Sequence, residues 1–174
     1  MELIDLLQNR RSKRRFTPQR VEPEKVEKLI TAALMSPSGK KKNHWDFIIV
    51  EEPTMLEKLS ECKPHSAKLI AGAPLAIVVI GNPDESDTWV EDCSIASIIL
   101  QLEAEDLGLA SCWVQVRNRE HDDRTMATDY IKELFEIPFE KRVLSVIAIG
   151  YSDEIKKPFD MANLMREKIH WGKY

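Results

Sequence analysis

The chain has 174 residues, 43% of them hydrophobic and 31% charged, with a formal net charge of −4. These values fit one compact soluble domain, residues 1–174, that can bury a core without disulfides, and the acidic balance argues against a general nucleic-acid binder. No apolar run approaches the ~20 residues that span a bilayer, and the acids in Met1-Glu2-Leu3-Ile4-Asp5 stand where a secretory leader carries bases, so no membrane partner is expected and the cytoplasm is the expected location.

Leu3, Ile4, Leu6 and Leu7 predict a short amphipathic helix that stops at a basic cluster. Thr17-Pro18 breaks the chain, and Pro23 suits a first helical position. Val26, Leu29, Ile30, Ala33 and Leu34 then recur with helical spacing, and Ser36-Pro37-Ser38-Gly39 ends that helix. A basic loop, Lys40-Lys41-Lys42-Asn43-His44, leads through Trp45 into a strand over 47–50. Thr54 and Glu57 have the spacing of a capping box. A short helical piece over 66–71 precedes a strand over 75–80 that is apolar on both faces and therefore central.

Residues 88–107 predict the longest helix, apolar around most of its circumference, with Gly108 as its C-cap. A helix of that kind in so small a chain points to burial against a second subunit. Strands follow over 110–116 and 143–149, with a helix from Asp122 or Asp123 to about Glu136 between them. The tail from Lys156 to Tyr174 keeps Phe159, Met161, Leu164, Ile169, Trp171 and Tyr174, so it is expected to dock on something. This order allows a doubly wound α/β fold, but no Gly-x-Gly-x-x-Gly follows a strand and no Gly-x-x-x-x-Gly-Lys-Ser/Thr is present, which argues against a standard dinucleotide or nucleotide-triphosphate fold.

The strongest chemical signal is Arg10-Arg11-Ser12-Lys13-Arg14-Arg15-Phe16, five cations in seven residues of an acidic protein. Guanidinium groups bind phosphate through paired charge-assisted hydrogen bonds, and a serine adds a neutral donor. The plain alternative is a solvated charge run. Anchoring between a helix and Phe16 favours the anion site, as do two further basic loops at element ends, Lys40-Lys41-Lys42 and Lys156-Lys157.

These residues carry a resemblance. The opening Arg10-Arg11-Ser12-Lys13-Arg14-Arg15-Phe16 resembles the Arg-Arg-Ser-x-Arg-x-Phe start of the nitroreductase family of flavin mononucleotide (FMN) enzymes. Ser36-Pro37-Ser38-Gly39 before Trp45-Asp46-Phe47, Leu107-Gly108-Leu109-Ala110-Ser111-Cys112-Trp113, and Ile149-Gly150-Tyr151 resemble three further motifs of that family, in order along nearly the whole chain. The resemblance implies an α+β fold: a mixed sheet flanked by helices, in an intertwined homodimer whose C-terminal tail is exchanged onto the partner, with two FMN at the interface. It implies hydride transfer from NAD(P)H through FMN to a small organic acceptor such as a nitroaromatic or quinone, by a ping-pong mechanism.

By the same resemblance, Arg10, Arg11 and Ser12 hold the FMN phosphate, and Lys156 or Lys157 completes that site. Arg14 reaches the pyrimidine side of the ring, where a cation raises its tendency to accept hydride. Pro37, Ser38 and Gly39 come from the other subunit to line the ring edge. Trp113 and Val114 lie on the strand beside the flavin, where a main-chain N–H meets the ring. No side chain is implied as a catalytic acid, and protons come from water.

The sequence departs from the family at four places: Lys41 and Asn43 replace the usual Asn and Gln before the tryptophan, His44 replaces a Pro, and Ser152 replaces the Pro after Tyr151. Lys41 still has the reach to face the ribityl chain or ring edge. His65 and Lys68 precede the central strand at the distance where larger members carry ring-binding polar residues; the alternative is a surface histidine and a helix-face lysine. Cys62-Lys63-Pro64-His65 has no second ligand pair, so no metal is expected, and the three cysteines are expected to be reduced thiols. Two other readings stay open: different flavin chemistry, such as dehalogenation, azoline oxidation or flavin processing, and a non-catalytic binding module. The short span between the strands at 75–80 and 110–116 favours a small acceptor.

Overall fold

In the computed structural model the described residues are 2–174. They form one four-stranded sheet of β1 (Asp46–Val50), β2 (Leu75–Gly81), β3 (Ala110–Gln115) and β4 (Arg142–Gly150), in the order β1-β2-β4-β3. Every neighbouring pair is antiparallel. The architecture is thus α+β but not doubly wound, and the sheet is not mixed as the resemblance implied. The one parallel pairing among the described residues is an isolated bridge between Ser12 and Ser111.

The helices are α1 (Leu3–Asn9), α2 (Pro23–Leu34), α3 (Pro53–Ser60), α4 (Trp89–Asp106) and α5 (Ala127–Leu134). Strand alternation sorts the core into two layers. Ala76, Val78 and Ile80 of β2 pack with α3 and α5 through Leu56, Leu59 and Ile131. Leu75, Ile77 and Val79 face the opposite way and pack with α2 and α4 through Leu29 and Leu100. A bulge between Val79 and Ile80 leaves Leu144 without its own partner on β2, and the adjacent Ser145 hydroxyl meets Ser97 of α4 at 3.1 Å. With both faces covered, β2 is continuously apolar and β4 is interrupted only by Arg142 and Ser145, and each fully buried Leu or Ile contributes about 2–3 kcal/mol.

Several local expectations are corrected. The cap of α3 is Glu52, not Thr54: its carboxylate accepts the Met55 N–H at 2.9 Å and Pro53 opens the helix. A proline at the first helical position has no N–H to satisfy, which fixes the start two residues earlier than the capping box did. The fifth helix begins at Ala127, not Asp122. The Asp122 carboxylate accepts the N–H groups of Arg124 and Thr125, both at 2.8 Å, so this residue closes a turn in place of starting a helix. Gly108 ends α4 as expected: at φ 73° it allows its own N–H to reach the Glu105 carbonyl and the Leu109 N–H to reach that of Ala104.

Only the first residues of the tail are held by hydrogen bonds to the start of the chain. Residues 151–159 run beside residues 8–17: the Thr17 N–H donates to Tyr151, the Ser152 hydroxyl to the Arg15 carbonyl, and the Phe159 N–H to Gln8. Beyond Phe159 every residue is exposed, Trp171 at 92%. No described helix is long and apolar enough to cross a membrane.

Candidate functional site

The basic cluster lies along the free edge of β3. Ser12 bridges Ser111, and the Lys13 N–H donates to the Ser111 carbonyl at 3.2 Å. Because Ser111 turns its carbonyl outward, the two-residue period of the strand turns the N–H and C=O of Trp113 and Gln115 to the same edge. The Gln115 carbonyl accepts the Lys63 ammonium at 2.8 Å. Trp113 N–H thus stands on an open edge a short way along the strand from Ser12.

Chain segments from both ends of the sequence meet here. Arg11 donates through Nη1 to the Lys157 carbonyl. Glu154 accepts the N–H groups of Arg14 and Arg15 at 2.8 and 3.3 Å, and its other oxygen pairs with the Lys156 ammonium at 2.7 Å. This pair and these backbone bonds hold the Glu154 carboxyl at about 2, well below its ordinary value. Lys156 is therefore engaged by a neighbouring acid, and Lys157 is the lysine of the two left without a side-chain partner among the described residues. The Ser12 hydroxyl and the guanidinium groups of Arg10, Arg14 and Arg15 likewise have none. Burial raises the pKa of the Cys112 thiol, with Arg14, Arg10 and Lys63 opposing the rise and Glu154 adding to it.

Lys63 is the residue the sequence reading passed over. It is only 9% exposed, and burial lowers its pKa. An isolated lysine gives no sequence signal of that kind; the one hint is its place between Cys62, which is fully buried, and Pro64. His65 and Lys68, by contrast, are exposed on the connection into β2, Lys68 opening a 3-10 turn over Lys68–Ile70. The three thiols are free and buried; burial pushes Cys62 up to about 11 and Cys93 to about 12, so neither is a nucleophile at neutral pH. No His/Cys/Asp/Glu group suited to a metal occurs among the described residues.

The second predicted group lies elsewhere. Ser36 to His44 link α2 to β1, with a 3-10 turn at Gly39–Lys41. Ser38 Oγ donates to Asn43 Oδ1 at 2.8 Å and accepts the Asn43 N–H at 2.9 Å. Lys40, Lys41 and Asn43 are all left-handed, at φ 53°, 55° and 48°. Pro37, Lys41 and Asn43 are exposed. This loop sits at the sheet end where Arg142 pairs with Gly81 and Asp46 with Ile80, whereas Ser12 sits where Gly150 pairs with Ala110. The length of β4 separates the two ends by roughly 25 Å.

The donor set on the β3 edge fits FMN. A phosphate dianion suits clustered guanidinium groups, a free hydroxyl and a lysine, and an open strand edge offers an N–H to a ring heteroatom. Comparison with known proteins agrees. The model of the nitroreductase family matches residues 7–62 and 51–151. An FMN-dependent nitroreductase of Clostridium difficile R20291 superimposes with a TM-score of 0.97 at 42% identity, covering 99% of this chain and 100% of that one. A protein of Methanothermobacter thermautotrophicus, provisionally named NADH dehydrogenase/NAD(P)H nitroreductase, is 34% identical over 177 residues, 100% of this chain and 88% of its own. A nitroreductase family protein of Clostridium difficile 630 is similar at 27% identity and a TM-score of 0.82, with 100% of both chains covered. With the cation cluster paired to the edge of β3 and a match running from residue 7 to residue 151, the chain belongs to the nitroreductase family of oxidoreductases.

Proposed function

We propose that the protein is an FMN-dependent oxidoreductase that passes hydride from NAD(P)H to a small organic acceptor, a nitroaromatic, quinone or similar compound, with the two substrates using one pocket in turn. The observation that carries this reading is the meeting of residues 10–15 with residues 151–157 beside the open edge of β3. Bound FMN supplies the hydride-accepting and hydride-donating ring.

The chain's own residues bind and polarise it. Arg10, Arg11, Ser12 and Lys157 hold the phosphate, Lys156 adding charge through its pair with Glu154. Arg14 and the buried Lys63 place positive charge on the ring side, favouring the reduced state. Trp113 presents its N–H to the ring edge and Val114 backs the strand. No acid is positioned for proton transfer, so protons come from water. His65 and Lys68, both exposed on the connection into β2, would meet the cofactor at the rim of the pocket.

The loop of Pro37, Ser38, Gly39, Lys41 and Asn43 cannot reach this site within one chain, so we assign it to the flavin of a second copy in a homodimer. Apolar surface supports the pairing. Leu3, Ile4 and Leu7 of α1, Ile95 and Ile98 of α4, and Ile155, Met165, Ile169 and Trp171 of the tail are all exposed. Tail exchange between the copies covers this surface. The span from β2 to β3 is filled by α4, leaving no insertion for a large lid, which favours small acceptors. Three free thiols fit a cytoplasmic setting.

Purified protein is expected to be yellow and to oxidise NAD(P)H with nitroaromatics, quinones or enones. Arg10→Ala is expected to weaken FMN binding by about tenfold to a hundredfold, the loss of one charge-assisted contact, in a fluorescence titration. Folded protein that takes up no FMN overturns the proposal.

A further inference from the structure

The loop assigned to the second copy's flavin is fastened by a buried carboxylate. Asp92, in the first turn of α4, is 4% exposed. Its two oxygens accept the Gly39 N–H at 3.0 and 3.1 Å, and one of them also accepts the Thr88 hydroxyl at 3.1 Å. The same oxygen lies 2.8 Å from Nε2 of His44, which is 3% exposed. The Asn82 N–H points at Nδ1 of that ring from 3.5 Å. An acceptor role at Nδ1 leaves the ring proton on Nε2, where it donates to Asp92.

This arrangement holds a shape the loop would not keep alone. Three of its non-glycine residues are left-handed, each at a cost of about 1 kcal/mol. The Ser38–Asn43 bonds close the loop on itself but tie it to nothing outside. Gly39 supplies the outside tie, and a Cβ there would stand 2.4 Å from the Thr88 hydroxyl oxygen, which would have to turn away from Asp92. His44, which stands where the resemblance led us to expect proline, supplies the second tie.

Resting on the flavin reading above, we infer that Asp92 and His44 are a positioning pair that sets the 37–43 loop in the conformation that receives the FMN of the other subunit. Neither residue touches the cofactor; both act through Gly39 and the loop it anchors. Loosening the pair therefore lowers FMN affinity at the site the partner's cations build, not at the site of the same chain.

The test measures FMN dissociation constants by fluorescence, with urea stability recorded for each variant. Asp92→Asn turns one acceptor into a donor facing the His44 N–H, and His44→Ala removes that N–H. Each is expected to raise the dissociation constant about tenfold or more, while His44→Gln, whose amide keeps a donor near the same place, stays within about threefold. Co-expressing His44→Ala chains with Arg10→Ala chains separates positioning from general weakening. Mixed dimers then carry one site with both lesions and one with neither, so about a quarter of all sites should bind FMN with the parental constant. If Asp92→Asn fails to fold, His44→Ala and the mixed dimers decide. Parental affinity in both variants, or no recovered sites on mixing, overturns this inference alone. An unsubstituted protein that takes up no FMN overturns the flavin reading and this inference with it.

Discussion

The two ends of the sheet use the same device in opposite surroundings. At the Gly150 end the carboxylate of Glu154 gathers the backbone N–H groups of Arg14 and Arg15 and one lysine. At the Arg142 end the carboxylate of Asp92 gathers the Gly39 N–H, the Thr88 hydroxyl and one histidine. The first, its side chain 15% exposed, lies beside the exposed Arg14 and Arg15; the second is sealed beneath a loop. A carboxylate in water can exchange lost partners for solvent, whereas a buried one leaves its donors stranded. The first clamp gathers backbone and a cation at one edge of the sheet, and the second fixes the shape of a loop.

The largest contrast is expected from truncation. Asp92→Ala strands the Gly39 N–H and the His44 ring and is expected to cost about 3 kcal/mol in urea unfolding, whereas Glu154→Ala should cost clearly less. Equal losses would erase the distinction. Next in size, Gly150→Ala brings a Cβ to 2.4 and 2.7 Å from Pro74 and 3.3 Å from Phe16. Ring atoms wedged against a strand cannot yield, so about 2 kcal/mol is expected. Gly39→Ala meets the Thr88 side chain, which can turn away, and is expected to cost less in stability than in FMN affinity; the reverse order would count against the loop's role.

The smallest effect is in pH. Both carboxyls lie below their ordinary values, so each contributes stability that is full above the unfolded value and lost as pH falls through the folded one. For Glu154 the window runs from 4.5 down to about 2. Glu154→Gln is expected to flatten the stability profile across that window and to converge with the parent near its acid end. An unchanged acid limb would show that Glu154 does not hold residues 151–157 against Arg14 and Arg15.

Much of this was legible in the chain. The run at 75–80, apolar on both faces, marked a central strand, because only full coverage on both sides explains it. The cation cluster marked the end of the sheet where residues 10–15 meet residues 151–157. Antiparallel pairing was not legible, since buried strands read alike in either direction. The start of α5 was misread because Asp122 serves a turn as readily as a cap. Lys63 and Asp92 were missed for one reason: what makes each notable is burial beside a distant backbone group, Gln115 in one case and Gly39 in the other. Residue type and spacing carry no trace of that.

The most direct test of the central claim, that cations from one copy and the 37–43 loop of another build each flavin site, is a single gel-filtration run of FMN-saturated protein with light scattering and visible absorbance. The account predicts a particle of two chains that elutes with about one FMN per chain. A one-chain particle, or a two-chain particle that leaves its flavin on the column, would contradict it.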